Sequence, residues 1–222
     1  TWDDAPHLSG SEKKRLRATL RLHELEAREK GIPALGRGKV FPVKEVDISI
    51  EPFTLPSHFK HVYGLDFGWT NPTAIVWAAY DMAEDIVYLH DCYTKAEAPP
   101  STHAAAIQAK GGWIPGVCDP AGQSTSQQDG TSLIEAYGKH GIWLNKADNS
   151  VEAGLMHMLE RMQTGRLKVF ANLAPWWHEF RLYRRDEKGR IVKRHDHLMD
   201  ATRYLITSGL PLARASAPKA TN

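Results

Sequence analysis

The order of its strand-like and helix-like segments is the feature that most restricts the fold of this chain of 222 residues. Three consecutive segments have the apolar, β-branched and aromatic content that is typical of strands, and turn residues separate them. They are His61–Phe67, Thr73–Tyr80 and Asp85–Tyr93. Because short turns join them, we expect an antiparallel β-meander.

Helical and strand-like segments alternate after this meander. The predicted helices are Thr102–Ala109, Ser132–His140, Asn149–Gln163, Ala174–Tyr183 and His195–Ser208, and the predicted strands are Trp113–Cys118, Ile142–Asn145 and Leu167–Phe170. A meander followed by such alternation predicts an α/β fold, with a mixed central sheet and helices on both of its faces. Between the last two helices, Arg184–Arg194 predicts a hairpin around Asp186–Gly189.

The two ends of the chain differ in composition from this core. Residues 1–58 predict an N-terminal helical and linker segment, because leucines at helical spacing precede a stretch rich in glycine and proline. Within it, Lys39–Val43 and Val46–Ile50 are predicted as short strands. We expect the main domain to span residues 59–210 and the polar tail, residues 211–222, to be disordered.

Composition limits the classes of function. The formal net charge is +2, so a surface for nucleic acid would have to come from local clustering of basic residues. Cys92 and Cys118 lie in apolar, strand-like surroundings, and we expect reduced thiols in a reducing cytosol. No apolar run approaches the roughly 20 residues that span a bilayer, so no membrane contact is expected. Because Thr1 rather than Met begins the chain, we expect a piece of a longer polypeptide.

Three aspartates lie where a carboxylate is costly unless something neutralises its charge. Asp66 ends one apolar strand, Asp119 follows another, and Asp200 lies inside the last predicted helix. Asp196 and His197 are predicted to share a helix face with Asp200. Each aspartate also has a purely structural interpretation, because acids organise turns and favour helix N-termini.

Together these residues predict a metal site. Carboxylate oxygens suit Mg²⁺ or Mn²⁺, and the sequence has no Cys/His cluster of the kind that binds structural zinc. We expect Asp66, Asp119, Asp200 and Asp196 to hold two such ions, which could activate a water and stabilise the leaving oxygen of a phosphodiester. His197 could orient that water, accept a proton or support a ligand.

These motifs resemble the carboxy-terminal nuclease domain of the large terminase subunit of tailed bacteriophages, and the order of elements matches its ribonuclease H-like fold. YGLDFGWTNPTA resembles the first catalytic strand of that family, VCDPAG its second acidic position and HDHLMDATRYLI its last helix. TWDDAPHLS and GIPALGRGKVFPV resemble the segment that joins the motor ATPase to the nuclease. By these matches Asp66, Asp119 and Asp200 take the metal-ligand positions of the family, and His197 matches a histidine that several members have.

The resemblance implies a metal-dependent endonuclease that cuts double-stranded, concatemeric viral DNA during genome packaging in the host cytoplasm, outside the mature virion. The implied partners are the ATPase domain of the same polypeptide, the portal protein and the small terminase subunit. A Walker phosphate loop is missing from these 222 residues, so we expect this piece to cut DNA but not to pump it.

Basic residues cluster immediately before the last predicted helix. RLYRRDEKGRIVKR, residues 181–194, holds seven Arg or Lys against two acids. The predicted DNA-contacting residues are Arg184, Arg185, Lys188, Arg190, Lys193 and Arg194, which would bind the DNA backbone without reading its sequence. The alternative is a solvated hairpin whose charges prevent aggregation.

Two other functions remain open at this point. The chain could be a non-catalytic DNA clamp or docking module of the packaging motor, in which the aspartates are structural. It could also be an actin-like or sugar-kinase-like ATPase, because DFGWTNPT superficially fits a phosphate loop, although such proteins need a second related domain and further glycine-rich loops.

Overall fold

The computed structural model describes residues 38–123 and 132–215. The predicted N-terminal helix, most of the loop after Asp119 and residues 216–222 lie outside the described residues. No helix in the described part of the chain has the length and apolarity needed to cross a bilayer. Cys92 and Cys118 are free thiols.

The described residues form nine strands and six α-helices. The strands are β1 (Gly38–Lys39), β2 (Ser49–Ile50), β3 (Lys60–Asp66), β4 (Thr73–Asp81), β5 (Ile86–Lys95), β6 (Gly116–Cys118), β7 (Leu144–Lys146), β8 (Leu167–Phe170) and β9 (Arg184–Arg185). The helices are α1 (Glu45–Ile48), α2 (Pro100–Gly111), α3 (Leu133–Gly138), α4 (Val151–Gln163), α5 (Ala174–Leu182) and α6 (His197–Tyr204).

Seven of these strands form one mixed sheet in the order β2-β8-β5-β4-β3-β6-β7. The β3–β4 and β4–β5 pairs are antiparallel, as the predicted meander requires. The pairs β3–β6, β6–β7, β5–β8 and β2–β8 are parallel. The predicted α/β fold with a mixed central sheet is therefore confirmed.

Strand β3 lies in the interior of the sheet and alternates between its two faces. On one face, Tyr63 and Leu65 pack with Trp77 of β4 and with Ile107 of α2 and Tyr137 of α3 in a buried apolar cluster. Full burial of each large apolar side chain contributes about 1.5–3 kcal/mol. The opposite face of β3 is left for Gly64 and Asp66, and helix α6 packs there.

Helix α6 comes unusually close to this second face. A Cβ atom at Gly64 would lie 2.0 Å from the carbonyl oxygen of Ala201, a distance that no side chain can tolerate. Glycine is therefore needed for the helix backbone to touch the strand backbone. This contact sets the height of α6 above the sheet.

The described residues fall into two compact units: the larger contains residues 41–123, 132–181 and 194–215, and the smaller contains residues 38–40 and 182–193. In the smaller unit β1 and β9 pair antiparallel. The predicted hairpin around Asp186–Gly189 is confirmed, because the N–H of Asp186 donates to the carbonyl of Arg190 at 2.8 Å. The carboxylate of Asp186 stabilises the turn by accepting from the N–H groups of Lys188 and Arg190 at 2.9 Å.

The segment before the main meander differs from its prediction. Val46–Ile50 was predicted as a strand, but Glu45–Ile48 forms one helical turn and only Ser49–Ile50 forms a strand. A short apolar run does not distinguish the two conformations, and here the pairing of β2 with β8 decides where the strand begins. Since β2 belongs to the sheet, the larger unit begins before the predicted boundary at residue 59.

The end of the chain also differs. The last helix begins at His197 rather than His195, because His195 has a φ of 54°, outside the right-handed helical region. After Tyr204 the helix widens into a π-helical turn, Leu205–Gly209. Beyond the predicted boundary at residue 210 the chain is still ordered, because Arg214 and His61 exchange backbone hydrogen bonds of 2.6 and 3.1 Å.

An ion-pair network at the β4–β5 turn joins that turn to helix α4. The carboxylate of Asp85 accepts from Tyr80 Oη at 2.8 Å, from Arg161 Nη2 at 2.9 Å and from Arg166 Nη1 at 2.8 Å. Burial would raise the pKa of Asp85, but these hydrogen bonds and the charge of Arg161 outweigh it and lower the pKa to about 2. Arg161 itself is buried, so the network compensates a charge that would otherwise be costly.

Asp85→Asn should therefore lower the free energy of unfolding at neutral pH by about 1 kcal/mol. A carboxylate with a lowered pKa in the folded state stabilises the fold above its unfolded value, near 4, and loses that contribution as the pH falls towards 2. Urea denaturation at pH 7 and pH 2.5 would measure the free energy of unfolding of both proteins. The difference between wild type and variant should be smaller at pH 2.5. This account would be contradicted if the difference in free energy of unfolding were the same at both pH values. It would also be contradicted if the exposed control Glu187→Gln showed the same difference.

Candidate metal centre

Asp66 and Asp119 meet at one edge of the sheet because their strands are parallel neighbours. Leu65 of β3 is in register with Cys118 of β6, and the N–H of Asp119 donates to the carbonyl of Leu65 at 3.3 Å. Each aspartate therefore stands at the carboxyl end of its strand. This register brings the two strand ends together, as the sequence predicted.

Asp200 is brought to the same edge by helix α6. It precedes Ala201, the residue whose carbonyl touches β3 at Gly64. The charge of Asp200 raises the pKa of Asp66, and so does the charge of Asp119. Burial is the largest cause, and the combined effect raises the pKa of Asp66 to about 6 although the hydrogen bond from His197 opposes it. The charges of Asp119 and Asp200 thus disfavour ionisation of Asp66 at this edge.

Tyr204 lies within reach of all three charges. Burial raises its pKa most, and the negative charges of Asp119, Asp200 and Asp66 raise it further. Its ring packs with Val117 in a small buried cluster. Tyr204 thus lies between the core and the acids.

His197 binds Asp66 directly. Its Nδ1 lies 2.9 Å from Asp66 Oδ2, and because an ionised carboxylate only accepts, Nδ1 is the donor. This hydrogen bond is the largest cause of the raised pKa of His197, and the charge of Asp66 adds to it. The histidine singled out in the sequence is therefore a partner of the first aspartate.

Arg203 neutralises Asp200 in the same way. Its Nε and Nη2 atoms lie 3.2 and 3.1 Å from Asp200 Oδ1, and both side chains are buried. Helix α4 makes room for the guanidinium, because a Cβ at Gly154 would lie 2.6 Å from Arg203 Cγ. The sequence analysis did not single out Arg203, although an arginine three residues after an acid on a helix is a recognisable pairing signal.

Asp196 was predicted to lie within the last helix, but it precedes that helix. It is the residue before the first helical residue, with φ −124° and ψ 0°, and its backbone carbonyl accepts from the N–H of Asp200 at 2.8 Å. The left-handed conformation of His195 prevents the helix from beginning any earlier in the chain. Asp196 is nevertheless buried next to His197, whose pKa its charge raises.

The donor set has the chemistry that a hard divalent cation prefers, since it consists of carboxylate oxygens. Across residues 38–123 and 132–215, however, no three His, Cys, Asp or Glu side chains converge closely enough to hold an ion. His197 already pairs with the carboxylate of Asp66, and Arg203 with that of Asp200. A metal would have to compete with both of them.

Glu179 of α5 is a site residue that the sequence analysis missed. Its Oε2 accepts from the N–H of Leu198 at 2.7 Å, and its carboxylate also accepts from the N–H of Met199. Asp196 makes no side-chain cap bond, so Glu179 satisfies the first turn of α6 from another helix. Burial raises the pKa of Glu179 to about 7. The one available signal was an acid between aromatic residues in WWHEF.

The predicted DNA-contacting residues do not share one environment. Arg184, Lys188, Arg190, Lys193 and Arg194 are exposed. Arg185 is buried, and its Nη1 donates to the carbonyl of Gly189 at 2.8 Å, which stabilises the hairpin. Arg190 is paired with Asp186 at 3.0 Å. Arg194 belongs to the larger unit and the other five to the smaller one.

Sequence comparison relates the chain to one protein family. A family model described as Terminase RNaseH-like domain matches residues 63–208. The large terminase subunit of Salmonella phage P22 is 35% identical over 208 residues, which cover 90% of this chain and 42% of that protein. The chain therefore spans less than half the length of this relative.

Solved structures give the same result. The nuclease domain of the P22 large terminase is similar with a TM-score of 0.74 and 34% sequence identity, over 82% of this chain and 96% of that one. The nuclease domain of the g2p large terminase from bacteriophage SPP1, solved with bound Mn, has a TM-score of 0.54 and 21% identity, over 70% of this chain and 92% of that one. At 21% identity the second similarity concerns the fold alone.

Removing the carboxylate of Glu179 should destabilise the protein and loosen α6. Glu179→Ala leaves two buried N–H groups without an acceptor, which costs about 1–3 kcal/mol. Glu179→Gln keeps one acceptor oxygen and should recover most of that loss. Urea denaturation would measure both variants, with the exposed change Glu187→Gln as control. Equal stability of the Ala and Gln variants would contradict a capping role.

Proposed function

The chain belongs to the terminase RNaseH-like domain family, and on this premise we propose that it is a metal-dependent endonuclease that hydrolyses phosphodiester bonds of double-stranded DNA. The observation that carries the proposal is the placement of Asp66, Asp119 and Asp200 at one edge of the sheet, through the parallel register of β6 with β3 and the close contact of α6 with Gly64. Carboxylates gathered at one point favour a bound cation, which would act together with the pairs that His197 and Arg203 already make with two of them. The similarity to the P22 nuclease domain supports nuclease chemistry at this point.

We assign Asp66, Asp119 and Asp200 as the metal ligands, with Asp196 as a further candidate. Mg²⁺ and Mn²⁺ prefer such carboxylate oxygens, and the Mn bound to the SPP1 nuclease domain supports this class of ion. Two ions of this kind would supply an activated water and would balance the charge on the leaving oxygen.

His197 has a positioning role in this proposal and can also carry a proton. Through Nδ1 it fixes the orientation of the Asp66 carboxylate. Its raised pKa keeps more of the imidazole protonated near neutral pH, so a proton is available beside Asp66. Arg203 similarly fixes the orientation of Asp200.

The basic hairpin would bind the phosphate backbone. Among its residues, Arg184, Lys188 and Lys193 are exposed and extend from a turn that Asp186 stabilises. Arg194 is exposed two residues before Asp196. Arg185 and Arg190 have protein partners and are weaker candidates. Contacts to phosphates alone would give affinity that depends on salt and not on sequence.

The relatives extend well beyond the chain, and we propose the same for the whole protein. In it, an ATPase domain of the same polypeptide would drive DNA into a procapsid, and this domain would cut concatemeric DNA. The portal protein and the small terminase subunit are the proposed partners, and the host cytoplasm is the proposed location.

A non-catalytic clamp is the second candidate. It is favoured by the pairing of Asp66 with His197 and of Asp200 with Arg203, which neutralises both acids without a metal. The two candidates differ in whether DNA is cut. The family assignment favours the nuclease.

Asp66→Asn, Asp119→Asn and Asp200→Asn should each abolish cleavage of a supercoiled plasmid. The loss should exceed about 100-fold, because loss of a residue that merely supports a metal ligand already costs about 10–100-fold. EDTA should stop wild-type cleavage, and added Mg²⁺ or Mn²⁺ should restore it. Asp91→Asn, which removes an acid paired with Lys110, is the control. Wild-type rates in Asp66→Asn, or cleavage in EDTA, would overturn the metal assignment, whereas no cleavage by the wild type with either metal would leave the clamp.

Neutralising the exposed hairpin should weaken binding of duplex DNA and reduce its salt dependence. For the double change Arg184→Gln and Lys188→Gln, the slope of log K against log salt should fall by up to about 1.8, since each phosphate contact contributes about 0.9. Titrations in EDTA over a range of salt would measure it. The matched control, Lys110→Gln with Lys139→Gln, removes the same charge elsewhere. If both double variants change the slope equally, the hairpin has no special role.

A further inference from the structure

A cavity of about 200 Å³ lies directly beyond Asp66. Phe67 and Gly68, the next two residues of the chain, form part of its wall. The rest of the wall is rich in aromatic rings, those of Trp69, His103 and Tyr137. No step of the proposed hydrolysis uses this cavity.

The segments that follow the two strand-end aspartates reach this cavity or its wall. Asp66 faces α6, where it binds His197. Phe67 points to the other face of the sheet, and its ring centroid lies 5.5 Å from that of Tyr137. The turn after Asp119 packs closely against Phe67, because a Cβ at Gly122 would lie 2.1 Å from the phenyl ring. The cavity therefore lies at the end of β3 that carries Asp66, on the face of the sheet opposite its carboxylate.

The turn that carries Trp69 is fixed in place. The hydroxyl of Thr73 donates to the carbonyl of Gly68 at 2.9 Å and accepts from its N–H at 3.2 Å. The carbonyl of Trp69 accepts from the N–H of Glu97 at 2.9 Å. The indole is nevertheless 61% exposed, so the core does not require it. A rigid turn presents a large aromatic side chain to solvent beside the candidate metal centre.

The uncharged, aromatic lining of the cavity indicates which kind of ligand it can bind. The described residues that line the cavity carry no Lys, Arg, Asp or Glu. Both ring nitrogens of His103 have partners, Nε2 at 3.1 Å from the carbonyl of Ala98 and Nδ1 at 3.1 Å from Tyr93 Oη. A phosphate would find no positive charge here, whereas a flat ring would find aromatic faces. The volume is below the roughly 300–1,000 Å³ of typical ligand pockets, so it suits one ring system.

We propose that this cavity accepts one unstacked nucleobase of the DNA strand held at the carboxylates, and that Trp69 stacks on that base. The inference rests on the proposed function, since proximity to Asp66 and Asp119 identifies the ligand as DNA. Stacking on an aromatic side chain is available to every base, so the site adds affinity without sequence preference. It also favours DNA in which a base has already left the helical stack.

The test compares two labelled single strands of equal length, one with bases and one fully abasic, so that only the bases differ. Binding to the full chain is measured by fluorescence anisotropy at low salt in EDTA, which separates binding from cutting. Trp69→Ala should weaken binding of the base-bearing strand by about 10- to 100-fold and leave the abasic strand unchanged. Trp69→Phe should retain most of the affinity. Trp143→Ala removes another exposed tryptophan, 80% exposed and outside the cavity wall, and should have no effect.

Several results would overturn the inference: wild-type affinity in Trp69→Ala, equal weakening of both strands, or no measurable binding of the base-bearing strand. Asp66→Asn separates this outcome from the proposed function. If Asp66→Asn loses cleavage while Trp69→Ala binds normally, the nuclease stands and the base site falls. If the wild type cuts no plasmid with any metal but still binds bases through Trp69, the base site stands and the nuclease falls.

Discussion

The contact between helix α6 and strand β3 at Gly64 determines where the candidate metal centre forms. Without a side chain at Gly64, the carbonyl of Ala201 reaches the strand backbone, and Asp200 arrives beside Asp66. Any side chain there would move the helix away from the sheet and separate the two acids. Asp119 reaches the same edge independently, through the parallel register of β6 with β3.

Bringing three acids together creates an electrostatic problem that the protein solves partly by itself. His197 compensates Asp66, and Arg203 compensates Asp200. Both pairs form within or at the start of α6, and Glu179 satisfies the first N–H groups of that helix. The acids are thus held in an ordered arrangement before any metal binds. This is the usual requirement for a site in which charge must be stabilised without reorganisation.

Local patterns predicted part of this arrangement. Asp66 and Asp119 were identifiable because each follows a short apolar strand, and strand ends in an α/β sheet share an edge. Asp186–Gly189 was identifiable as a turn from its own turn chemistry. Glu179 was not, because its partners are the N–H groups of a helix that is distant in sequence. The predicted start of the last helix was wrong, since the positive φ of His195 places Asp196 before the first helical residue.

The sequence by itself determined the α/β class, the meander and the identity of the acids, since these depend on local periodicity and on the cost of a carboxylate in an apolar strand. Tertiary structure decided which partners the acids have, as in the pairing of Asp200 with Arg203. It also left Trp69 exposed above an aromatic cavity beside Asp66. These features depend on close approaches between segments far apart in the chain, and no local pattern records such distances.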